Sequence, residues 1–311
     1  MRVLVTGSQG FVGRHLVEEL RRQGWTIGAF DLPAPGGLGN EIRYYQGDIQ
    51  DRQAVDQAVK LFLPEACIHL SGIAFVPMGW TNAETLFAIN VSGTIHLLEA
   101  CRKHAPAARV LVISSAEVYG RQTGRDAADE DSPFHPENPY AVSKAAADQT
   151  ALLYARQYSM PVMAARPGNH IGPGQSPDFV VPSFARQLGE IAARRKKAVI
   201  KVGNLDSTRD FTDVRDVARA YRLLIEKGRA GEAYNIASNR EVSIRFILDR
   251  LCRIAGIDPD IEVAPERYRQ PEQRARLATS KITRETGWKP EISLETSLRN
   301  IMKEYINSGN K

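Results

Sequence analysis

The stretch that decides the fold is Arg2-Val3-Leu4-Val5-Thr6-Gly7-Ser8-Gln9-Gly10-Phe11-Val12-Gly13. Its apolar run predicts a buried strand over residues 2–6, and the glycines that follow predict a tight turn into a helix over about residues 11–23. Glycines spaced as GxxGxxG let backbone N–H groups approach a pyrophosphate, and the helix N-terminus adds a favourable field for an anion. The stretch therefore predicts a dinucleotide-binding turn.

Strand and helix patterns alternate through the rest of the first half. Further strands are predicted over residues 25–30, 43–46, 66–70, 109–114 and 161–166, and helices over about 51–62, 83–104 and 138–158. Short β-branched runs between helices are typical of a parallel sheet covered on both faces. The predicted fold class is α/β: a Rossmann-type, doubly wound parallel sheet with a smaller, discontinuous α/β substrate-binding lobe.

The regular alternation of strands and helices ends after Arg166. Residues 167–178 carry three glycines and three prolines, which predicts a loop. Short helices and strands then alternate irregularly. We therefore predict a dinucleotide-binding Rossmann domain over residues 1–169 and 205–240, and a second lobe over residues 170–204 and 241–311.

Composition excludes several classes of protein. The chain has 311 residues, of which 43% are hydrophobic and 25% charged, so it can form a core and is not disordered. No apolar run approaches the ~20 residues of a membrane span. The first residues resemble a strand and not a signal peptide, so we expect a cytoplasmic protein with no membrane partner.

The net charge and the spacing of the cysteines and histidines indicate which ligands to expect. The net charge of +5 is mild, and a nucleic-acid role would need a clustered basic stripe with interleaved aromatics. We expect an anionic small ligand and no nucleic-acid partner. The three cysteines lack a CxxC pattern, which fits a reducing compartment, and the six histidines lack metal-ligand spacing, so no metal is expected.

Two acids follow predicted strands near the glycine turn. Asp31 ends the second strand, 18 residues after Gly13, where a carboxylate can accept hydrogen bonds from ribose hydroxyls and would repel a 2′-phosphate. It favours NAD(H), with NADP(H) possible; the alternative is a turn residue before Pro33. Asp48 follows the third strand, where it can bond the adenine amino group or serve as a turn or capping acid.

A tyrosine and a lysine carry the predicted chemistry. Tyr140 and Lys144 lie one helical turn apart, and an ammonium close to a phenol is expected to lower the pKa of that phenol. Such a tyrosine can exchange a proton with a carbinol or carbonyl oxygen. Ser114 and Ser115 end the fifth strand, where a hydroxyl can hydrogen-bond the same oxygen. The alternative for the YxxxK pair is an ordinary surface pair.

With these motifs the sequence resembles the extended short-chain dehydrogenase/reductase family of nucleotide-sugar epimerases, dehydratases and reductases. The resemblance covers nearly the whole chain. The segments that carry it are 6–13, 47–48, 114–120, 140–144, 166–174 and 209–214. Within the family, segments 169–176, 201–205 and 209–216 are most similar to the GDP-4-keto-6-deoxy-D-mannose reductases, which form GDP-D-rhamnose.

This resemblance implies an NAD(P)H-dependent oxidoreductase that reduces the C4 ketone of a nucleotide-linked 4-keto-6-deoxyhexose, GDP-linked by best match. The alternative in the same family is a GDP-mannose-type 4,6-dehydratase or a 4-epimerase that recycles NAD. Ala116 stands before Glu117, where many sugar dehydratases carry an acid, and alanine cannot transfer a proton. A third alternative is a non-catalytic dinucleotide-binding module, which would not need Tyr140 or Lys144.

Motifs and resemblance together assign candidate roles to residues. The catalytic set is Ser115, Tyr140, Lys144 and Glu117. The cofactor set is Gly7, Gln9, Gly10, Phe11, Val12, Gly13, Asp31, Leu32, Asp48, Ile49, Leu70, Ser71, Gly72, Asn90, Ser114, Tyr140 and Lys144. The nucleotide-sugar set, in the second lobe except for Asn169 and Arg209, is Asn169, Val180, Val181, Lys201, Arg209, Arg269 and Glu272. The alternative for Arg209 is a surface salt bridge with Asp210 or Asp213.

The resemblance also implies a homodimer. The predicted helices 83–104 and 138–158 carry apolar residues on more than one side. Relatives commonly pair these helices across a dimer as a four-helix bundle. The alternative is burial of both helices against the sheet.

Overall fold

The computed structural model describes residues 1–32, 36, 37, 39, 41–121, 127–193, 197–265, 268 and 275–308. The chain divides into two units. The first unit comprises Met1–Gly168, Val217–Ile236 and Ala275–Lys289, and the second comprises Asn169–Asp216, Ala237–Arg274 and Pro290–Lys311. Compared with the predicted domains, residues 169, 205–216 and 237–240 fall in the second unit and residues 275–289 in the first.

The first unit contains a seven-stranded parallel sheet. With strands numbered along the whole chain, its members are β1 (Arg2–Thr6), β2 (Thr26–Asp31), β3 (Arg43–Gln46), β4 (Ala66–His69), β5 (Arg109–Ile113), β6 (Val162–Pro167) and β10 (Ala233–Ile236). Their order is β3-β2-β1-β4-β5-β6-β10, and every neighbouring pair is parallel. The order reverses between β1 and β4, the position at which doubly wound sheets bind ligands. The Rossmann-type α/β prediction is confirmed.

Helices cover the sheet of the first unit. They are α1 (Phe11–Arg22), α2 (Arg52–Phe62), α3 (Val76–Thr81), α4 (Ala83–Phe87), α5 (Gly93–His104), α6 (Pro139–Tyr158), α8 (Val214–Lys227, in this unit from Val217 on) and α10 (Ser280–Thr286). A π-helical turn, Ala88–Ser92, joins α4 to α5, so the predicted helix over 83–104 is helical throughout but not uniformly α. A 3₁₀ turn, Ala116–Tyr119, follows β5.

Apolar residues form one core layer on each face of this sheet. On β1, Val3 and Val5 pack with α1 and α8, whereas Leu4 packs on the opposite face with α2, α5 and α6. This alternation follows from the two-residue period of a strand. Because both faces are buried, the inner strands β1, β4 and β5 are largely apolar, whereas the edge strand β3 is polar and partly exposed.

The segment 275–289 completes the core on the α1 and α8 side. Trp288 is fully buried there, and Ile282 of α10 packs into the same cluster. Lys281 Nζ lies 2.6 Å from Glu232 Oε2, and the Tyr234 hydroxyl donates to Glu285 Oε2 at 2.6 Å. This late part of the chain is therefore built into the first unit.

Over its described residues, the second unit has two small sheets and three helices. Its elements are β7 (Asn169–Ile171), β8 (Val199–Val202), β9 (Thr208–Asp213), β11 (Glu241–Ser243), β12 (Asp260–Val263), α7 (Val180–Ala192), α9 (Ile244–Ala255) and α11 (Leu294–Ser308). The sheets are β11-β9-β7 and β12-β8. The loop predicted over 167–178 is wrong at β7, which forms because it pairs with β9, a partner about 40 residues away in sequence.

Among the helices in the described part of the chain, none is both long and apolar enough to cross a bilayer.

Candidate active site

The glycine turn after β1 requires glycine at two positions for lack of space. A Cβ on Gly7, whose φ is +69°, would lie 2.8 Å from the Ser71 backbone nitrogen. A Cβ on Gly13 would lie 2.2 Å from the Gly7 carbonyl oxygen. Gly10 N donates to Gly7 O at 3.1 Å and closes the turn. The turn therefore packs against the end of β4, and α1 begins directly behind it.

Asp31, at the end of β2, contacts the glycine turn directly. Its Oδ2 accepts a hydrogen bond from Gln9 N at 2.7 Å, and its Oδ1 accepts from Leu32 N at 2.9 Å. The carboxylate therefore borders the turn, as a ribose-binding acid should. Arg14, which the sequence analysis did not single out, donates from Nε to Gln9 O at 3.0 Å. Its position directly after Gly13 in the sequence could have indicated that it lies beside the glycine turn.

Asp48 and Ile49 follow β3. Asp48 Oδ1 accepts from Gln50 N at 2.9 Å, which is the turn geometry expected of a short acid. Ile49 is buried in the core beside α2 and α5. The contacts of Asp48 within the chain therefore match the turn role, and its contact with adenine stays a prediction.

Ser71, Gly72 and Asn90 meet beyond the end of β4. Ser71 N donates to Thr6 Oγ1 at 3.2 Å, and Asn90 Oδ1 accepts from Ile73 N at 2.8 Å. A Cβ on Gly72 would lie 3.0 Å from Asn90 Oδ1 and 3.4 Å from Lys144 Nζ. The end of β4, the π-helical turn and the lysine of α6 are thus in close contact.

Ser115, Tyr140 and Lys144 come together at the carboxyl end of β5, and each is less than one-tenth exposed. Burial raises the pKa of Tyr140, and a hydrogen bond with the Ser115 side chain partly opposes this. The expectation that the lysine ammonium lowers the pKa of this phenol is wrong here, because loss of solvent around a buried phenol is the larger effect. Tyr140 is therefore a protonated phenol at neutral pH.

Lys144 is held by the strand beside it. Its Nζ donates to the Ile113 carbonyl oxygen at 2.7 Å. Burial lowers the pKa of Lys144 to about 8, although the Asp148 carboxylate favours the charged form. Ser114, the next residue after β5, donates from Oγ to Lys144 O at 3.4 Å. The lysine is thus fixed against the strand end and remains a cation near neutral pH.

Glu117 lies in the 3₁₀ turn after Ser115. Its backbone nitrogen donates to Ser115 Oγ at 3.2 Å, and its Oε2 accepts from Asn138 Nδ2 at 3.4 Å. Asn138 also caps α6, because its Oδ1 accepts from Ala141 N at 2.8 Å. Asn138 was not among the predicted site residues. The Asn-Pro pair at the start of the helix that carries Tyr140 is the sequence pattern that indicates a capping residue here.

A buried ion pair joins α6 to β6. Arg166 of β6 makes two 2.9 Å bonds to the Asp148 carboxylate of α6, and both side chains are almost fully buried. Its Nη1 also donates to the Tyr119 hydroxyl at 2.8 Å, in the turn that follows Ser115. Arg166 therefore links α6, β6 and the 3₁₀ turn, a structural role within the predicted motif.

The candidate substrate residues in the second unit have varied surroundings. Asn169 Nδ2 lies 3.5 Å from Asp210 O, and Arg209 Nη1 donates to Thr208 O at 2.8 Å. Val180 is exposed, whereas Val181 is fully buried in that unit's core. The Lys201 ammonium lies 3.5 Å from Glu262 Oε1 at the surface. Arg269 and Glu272 lie outside the described residues.

The two acids considered as partners of Arg209 accept hydrogen bonds from several other groups. Asp213 Oδ2 accepts from Arg215 Nη2 at 2.8 Å, and hydrogen bonds to Arg215 and Ser297 hold the pKa of Asp213 below its ordinary value despite burial. Asp210 accepts from the backbone nitrogens of Ser238 and Arg240, at 3.1 and 3.2 Å.

The first unit fits a dinucleotide cofactor. A glycine turn without side chains, a helix N-terminus, a bordering carboxylate and a buried ammonium follow the ends of neighbouring parallel strands. Over the ranges that the structure describes, no cluster of three or more histidine, cysteine, aspartate or glutamate residues could hold a metal ion. The arrangement can therefore support proton transfer beside a bound dinucleotide.

Comparison with known proteins identifies the family. The family model described as GDP-mannose 4,6 dehydratase matches residues 4–301. The chain belongs to this family, within the extended short-chain dehydrogenases/reductases, which confirms the prediction from the motifs. It is thus an enzyme of the nucleotide-sugar oxidoreductase class.

Three relatives illustrate the range of activities in this class. The chain is 37% identical to the GDP-6-deoxy-D-mannose reductase of Pseudomonas aeruginosa, over 98% of this chain and 97% of that protein. The structure of RMD from P. aeruginosa complexed with NADPH has a TM-score of 0.88, with 36% identity over 99% of each chain. The Thermus thermophilus UDP-glucose 4-epimerase complexed with NAD has a TM-score of 0.87, with 28% identity over 98% of this chain and 99% of that one.

Proposed function

We propose that this enzyme reduces the C4 ketone of a nucleotide-linked 4-keto-6-deoxyhexose, with GDP-4-keto-6-deoxy-D-mannose as substrate and GDP-D-rhamnose as product. The observation that carries the proposal is a buried, protonated Tyr140 hydrogen-bonded to Ser115 beside Lys144. A ketone reduction needs a proton donor at this position. The full-length similarity to a GDP-6-deoxy-D-mannose reductase supports the choice of sugar and nucleotide.

The proposed cofactor is a nicotinamide dinucleotide, which supplies a hydride when bound. The residues proposed to hold it are those of the cofactor set, with the glycine turn and α1 N-terminus at the pyrophosphate and Asp31 at the adenosine ribose. Asp31 favours NADH because its carboxylate would repel a 2′-phosphate. A similar structure holds NADPH and another holds NAD, so both cofactors belong in the assay.

Two side chains act on the C4 oxygen in this proposal. Tyr140 carries its phenolic proton at neutral pH, since burial raises the pKa, and donates it to the oxygen. Ser115 hydrogen-bonds the same oxygen and stabilises the negative charge that develops there. Lys144, fixed by the Ile113 carbonyl, binds the nicotinamide ribose.

Residues of the second unit are proposed to bind the sugar nucleotide. Arg209 and Arg269 suit the diphosphate, because a guanidinium matches phosphate oxygens in pairs. Asn169 is assigned to the sugar diphosphate and Glu272 to the nucleoside ribose. Val180 and Lys201 would line the base pocket. Burial of Val181 in the core makes its proposed role one of support.

A 4,6-dehydratase is the second candidate, and the family model bears that name. Glu117 could serve as its base. In the preceding position Ala116 cannot act as an acid, which favours the reductase. The two activities differ in stoichiometry, because a dehydratase or epimerase consumes no net reduced cofactor and a reductase consumes one per product.

The decisive test follows NAD(P)H oxidation with GDP-4-keto-6-deoxy-D-mannose and compares it with conversion of GDP-mannose. We expect one reduced cofactor consumed per product, and a Tyr140→Phe loss of kcat of about 100-fold or more. Tyr154→Phe is the matched control, since this α6 hydroxyl bonds Glu99 outside the site. Turnover without net cofactor consumption, or full activity of Tyr140→Phe, would overturn the reductase proposal.

A thermal-shift screen tests the nucleotide. GDP, UDP, dTDP and CDP are compared at equal concentration, and we expect clear stabilisation by GDP alone, because only a bound ligand shifts the unfolding equilibrium. Preference for UDP or dTDP would overturn the substrate half of the proposal.

The assembly and domain roles are part of the same proposal. We assign the dinucleotide to the first unit and the nucleotide sugar to the second. The proposed dimer pairs α5 and α6; Val142 and Leu153 are 41% and 51% exposed on one face of α6. Leu153→Glu should convert a dimer to monomer in light scattering.

The proposed location is the cytoplasm, in keeping with cysteines that are all free.

A further inference from the structure

A buried chain of hydrogen bonds starts at the last residue before the glycine turn. Thr6 Oγ1 lies 2.7 Å from His69 Nδ1, and His69 Nε2 lies 3.1 Å from Thr94 Oγ1. Thr94 Oγ1 donates to the Asn90 backbone oxygen at 2.7 Å. These four side chains are at most 3% exposed. The chain therefore links the ends of β1 and β4 to the π-helical turn.

The proton count along this chain fixes one form of the histidine. The single hydroxyl proton of Thr94 goes to Asn90 O, so Thr94 can only accept from His69. His69 Nε2 therefore carries the proton, and the bare Nδ1 accepts from the Thr6 hydroxyl. Thr6 Oγ1 in turn accepts from Ser71 N at 3.2 Å. A charged ring would carry a second proton at Nδ1 and compete with the Thr6 proton.

The histidine is also kept neutral by its surroundings. Burial, and to a lesser extent the ammonium of Lys144, lowers the pKa of His69 to about 3. The other groups that face the ring, Thr6 and Thr94, are hydroxyls that do not titrate in this range. The neutral form therefore persists across the working pH.

The far end of the chain reaches the catalytic helix. Asn90 Nδ2 donates to Ser143 Oγ at 2.9 Å, and Ser143 Oγ donates to the Tyr140 backbone oxygen at 2.8 Å. Asn90 also brackets Ile73, accepting from its nitrogen at 2.8 Å and donating to its oxygen at 3.2 Å. A displaced Asn90 would thus move both Tyr140 and the backbone beyond β4.

We propose that His69, in its neutral Nε2–H form, is a positioning residue that sets Tyr140 relative to the glycine turn by holding Thr94 and Asn90. The inference rests on the proposed reductase function. His69 touches none of the proposed reacting groups, so its effect on the rate is indirect. The competing explanation is simple core packing.

Two variants test the chain, and a third provides rescue. Thr94→Val removes the hydroxyl with little change in volume, and His69→Leu removes both ring nitrogens. We expect both to lower kcat between about 10-fold and 100-fold with KM for the sugar nucleotide nearly unchanged, because a displaced donor costs rate more than binding. His69→Gln keeps a donor for Thr94 and should recover most of the lost kcat.

The matched control is Thr286→Val in the same unit. Thr286 is also buried, and its hydroxyl donates to Ile282 O at 2.7 Å, outside the chain of hydrogen bonds. We expect it to lower the melting temperature with kcat of the folded protein unchanged. If Thr94→Val also lowers the melting temperature and leaves kcat unchanged, the chain of hydrogen bonds has only a structural role and the proposal is overturned.

Two measurements do not depend on turnover. Nitrogen NMR of histidine-labelled protein should show the His69 ring as the Nε2–H tautomer, without titration between pH 8 and pH 5. Titration near pH 6, or the other tautomer, would overturn the assignment. NADH binding followed by fluorescence should change less than about threefold in Thr94→Val.

The outcomes separate the two proposals. If the unmodified enzyme reduces no keto sugar, the proposed function fails, and the tautomer still decides the form of His69. If the unmodified enzyme is active but Thr94→Val and His69→Leu keep its kcat, the reductase stands and the positioning role fails. Circular dichroism of each variant shows whether it is folded. If His69→Leu does not fold, Thr94→Val alone tests the positioning role.

Discussion

At the scale of single residues, the burial of Lys144 in the proposed active site lowers the stability of the folded protein. The ammonium is buried against the end of β5 with one hydrogen bond to a backbone oxygen. Burying a charge with little compensation is costly, and here the cost appears as a lowered pKa.

Replacing Lys144 by methionine should therefore abolish activity without unfolding the protein. The pKa of Lys144 falls from its ordinary 10.5 to about 8, so between these values the unfolded chain binds a proton that the folded chain has released. Stability of the unmodified protein should rise with pH in this window, by at most about 1.4 kcal/mol per pH unit relative to Lys144→Met. Urea unfolding from pH 7 to pH 10 measures the difference, and parallel curves would contradict it.

Asp31 is the residue on which cofactor preference is expected to depend. Its carboxylate borders the glycine turn and would face a 2′-phosphate with like charge. Asp31→Ser should raise NADPH affinity relative to NADH by about tenfold, equal to about 1.4 kcal/mol. Fluorescence titration with both cofactors measures this. Asp56→Ser, which removes an equal charge from a surface ion pair on α2, should leave the ratio unchanged.

The pattern of residues predicted which side chains meet but not how they titrate. The YxxxK spacing correctly brought Tyr140 and Lys144 to one helix face. It could not show that burial would raise the pKa of the phenol, because burial depends on segments distant in sequence. His69 and Thr94 were missed for a similar reason, since His69 bonds Thr6 across 63 positions.

At the scale of elements, the start of α6 positions Tyr140, the proposed proton donor. Tyr140 is the second residue of the helix, and Asn138 caps it through Ala141 N. Loss of a cap loosens the first turn of a helix. Geometry at this helix end is therefore part of the site.

Asn138→Ala should lower both stability and turnover. We expect a loss of about 1 kcal/mol in the free energy of unfolding and a several-fold lower kcat, because the first turn carries Tyr140. Asp51→Ala is the control, since Asp51 caps α2 through Gln53 and Ala54 away from the site. It should cost similar stability and leave kcat intact; equal kcat for both variants would refute the link.

The elements that sequence patterns predicted well are those with a long apolar period. Up to residue 167 the predicted strands and helices lie within about two residues of those observed, because most of them present a buried stripe or run, but α3 (Val76–Thr81) was not predicted. β7 was missed because three residues are too few to show an alternation of apolar and polar side chains. They form a strand because they pair with β9. The π-helical turn was missed because one extra residue in a turn barely alters the apolar pattern.

At the scale of the whole molecule, the chain returns twice to the first unit. Residues 217–236 supply α8 and β10, and residues 275–289 supply α10 and Trp288. The predicted boundaries missed the second return, because a short helix after a long interval carries no local sign of the core it joins. The domain to which a segment belongs is a property of long-range packing.

Trp288→Ala should destabilise the first unit severely. Removing a fully buried tryptophan leaves a cavity, and we expect a loss of about 3–5 kcal/mol together with loss of NADH binding at 37 °C. Denaturant unfolding followed by circular dichroism measures it. Trp80→Ala, at a tryptophan that is 70% exposed on α3, is the control and should change stability by less than about 0.5 kcal/mol.

The late arrival of Trp288 has a consequence for biosynthesis. A ribosome must have translated the chain as far as this residue before the first unit can close its core, although the glycine turn of that unit emerges much earlier. Until then the growing polypeptide exposes the apolar surface that Ile282 and Trp288 will cover, and this surface is where a chaperone would bind.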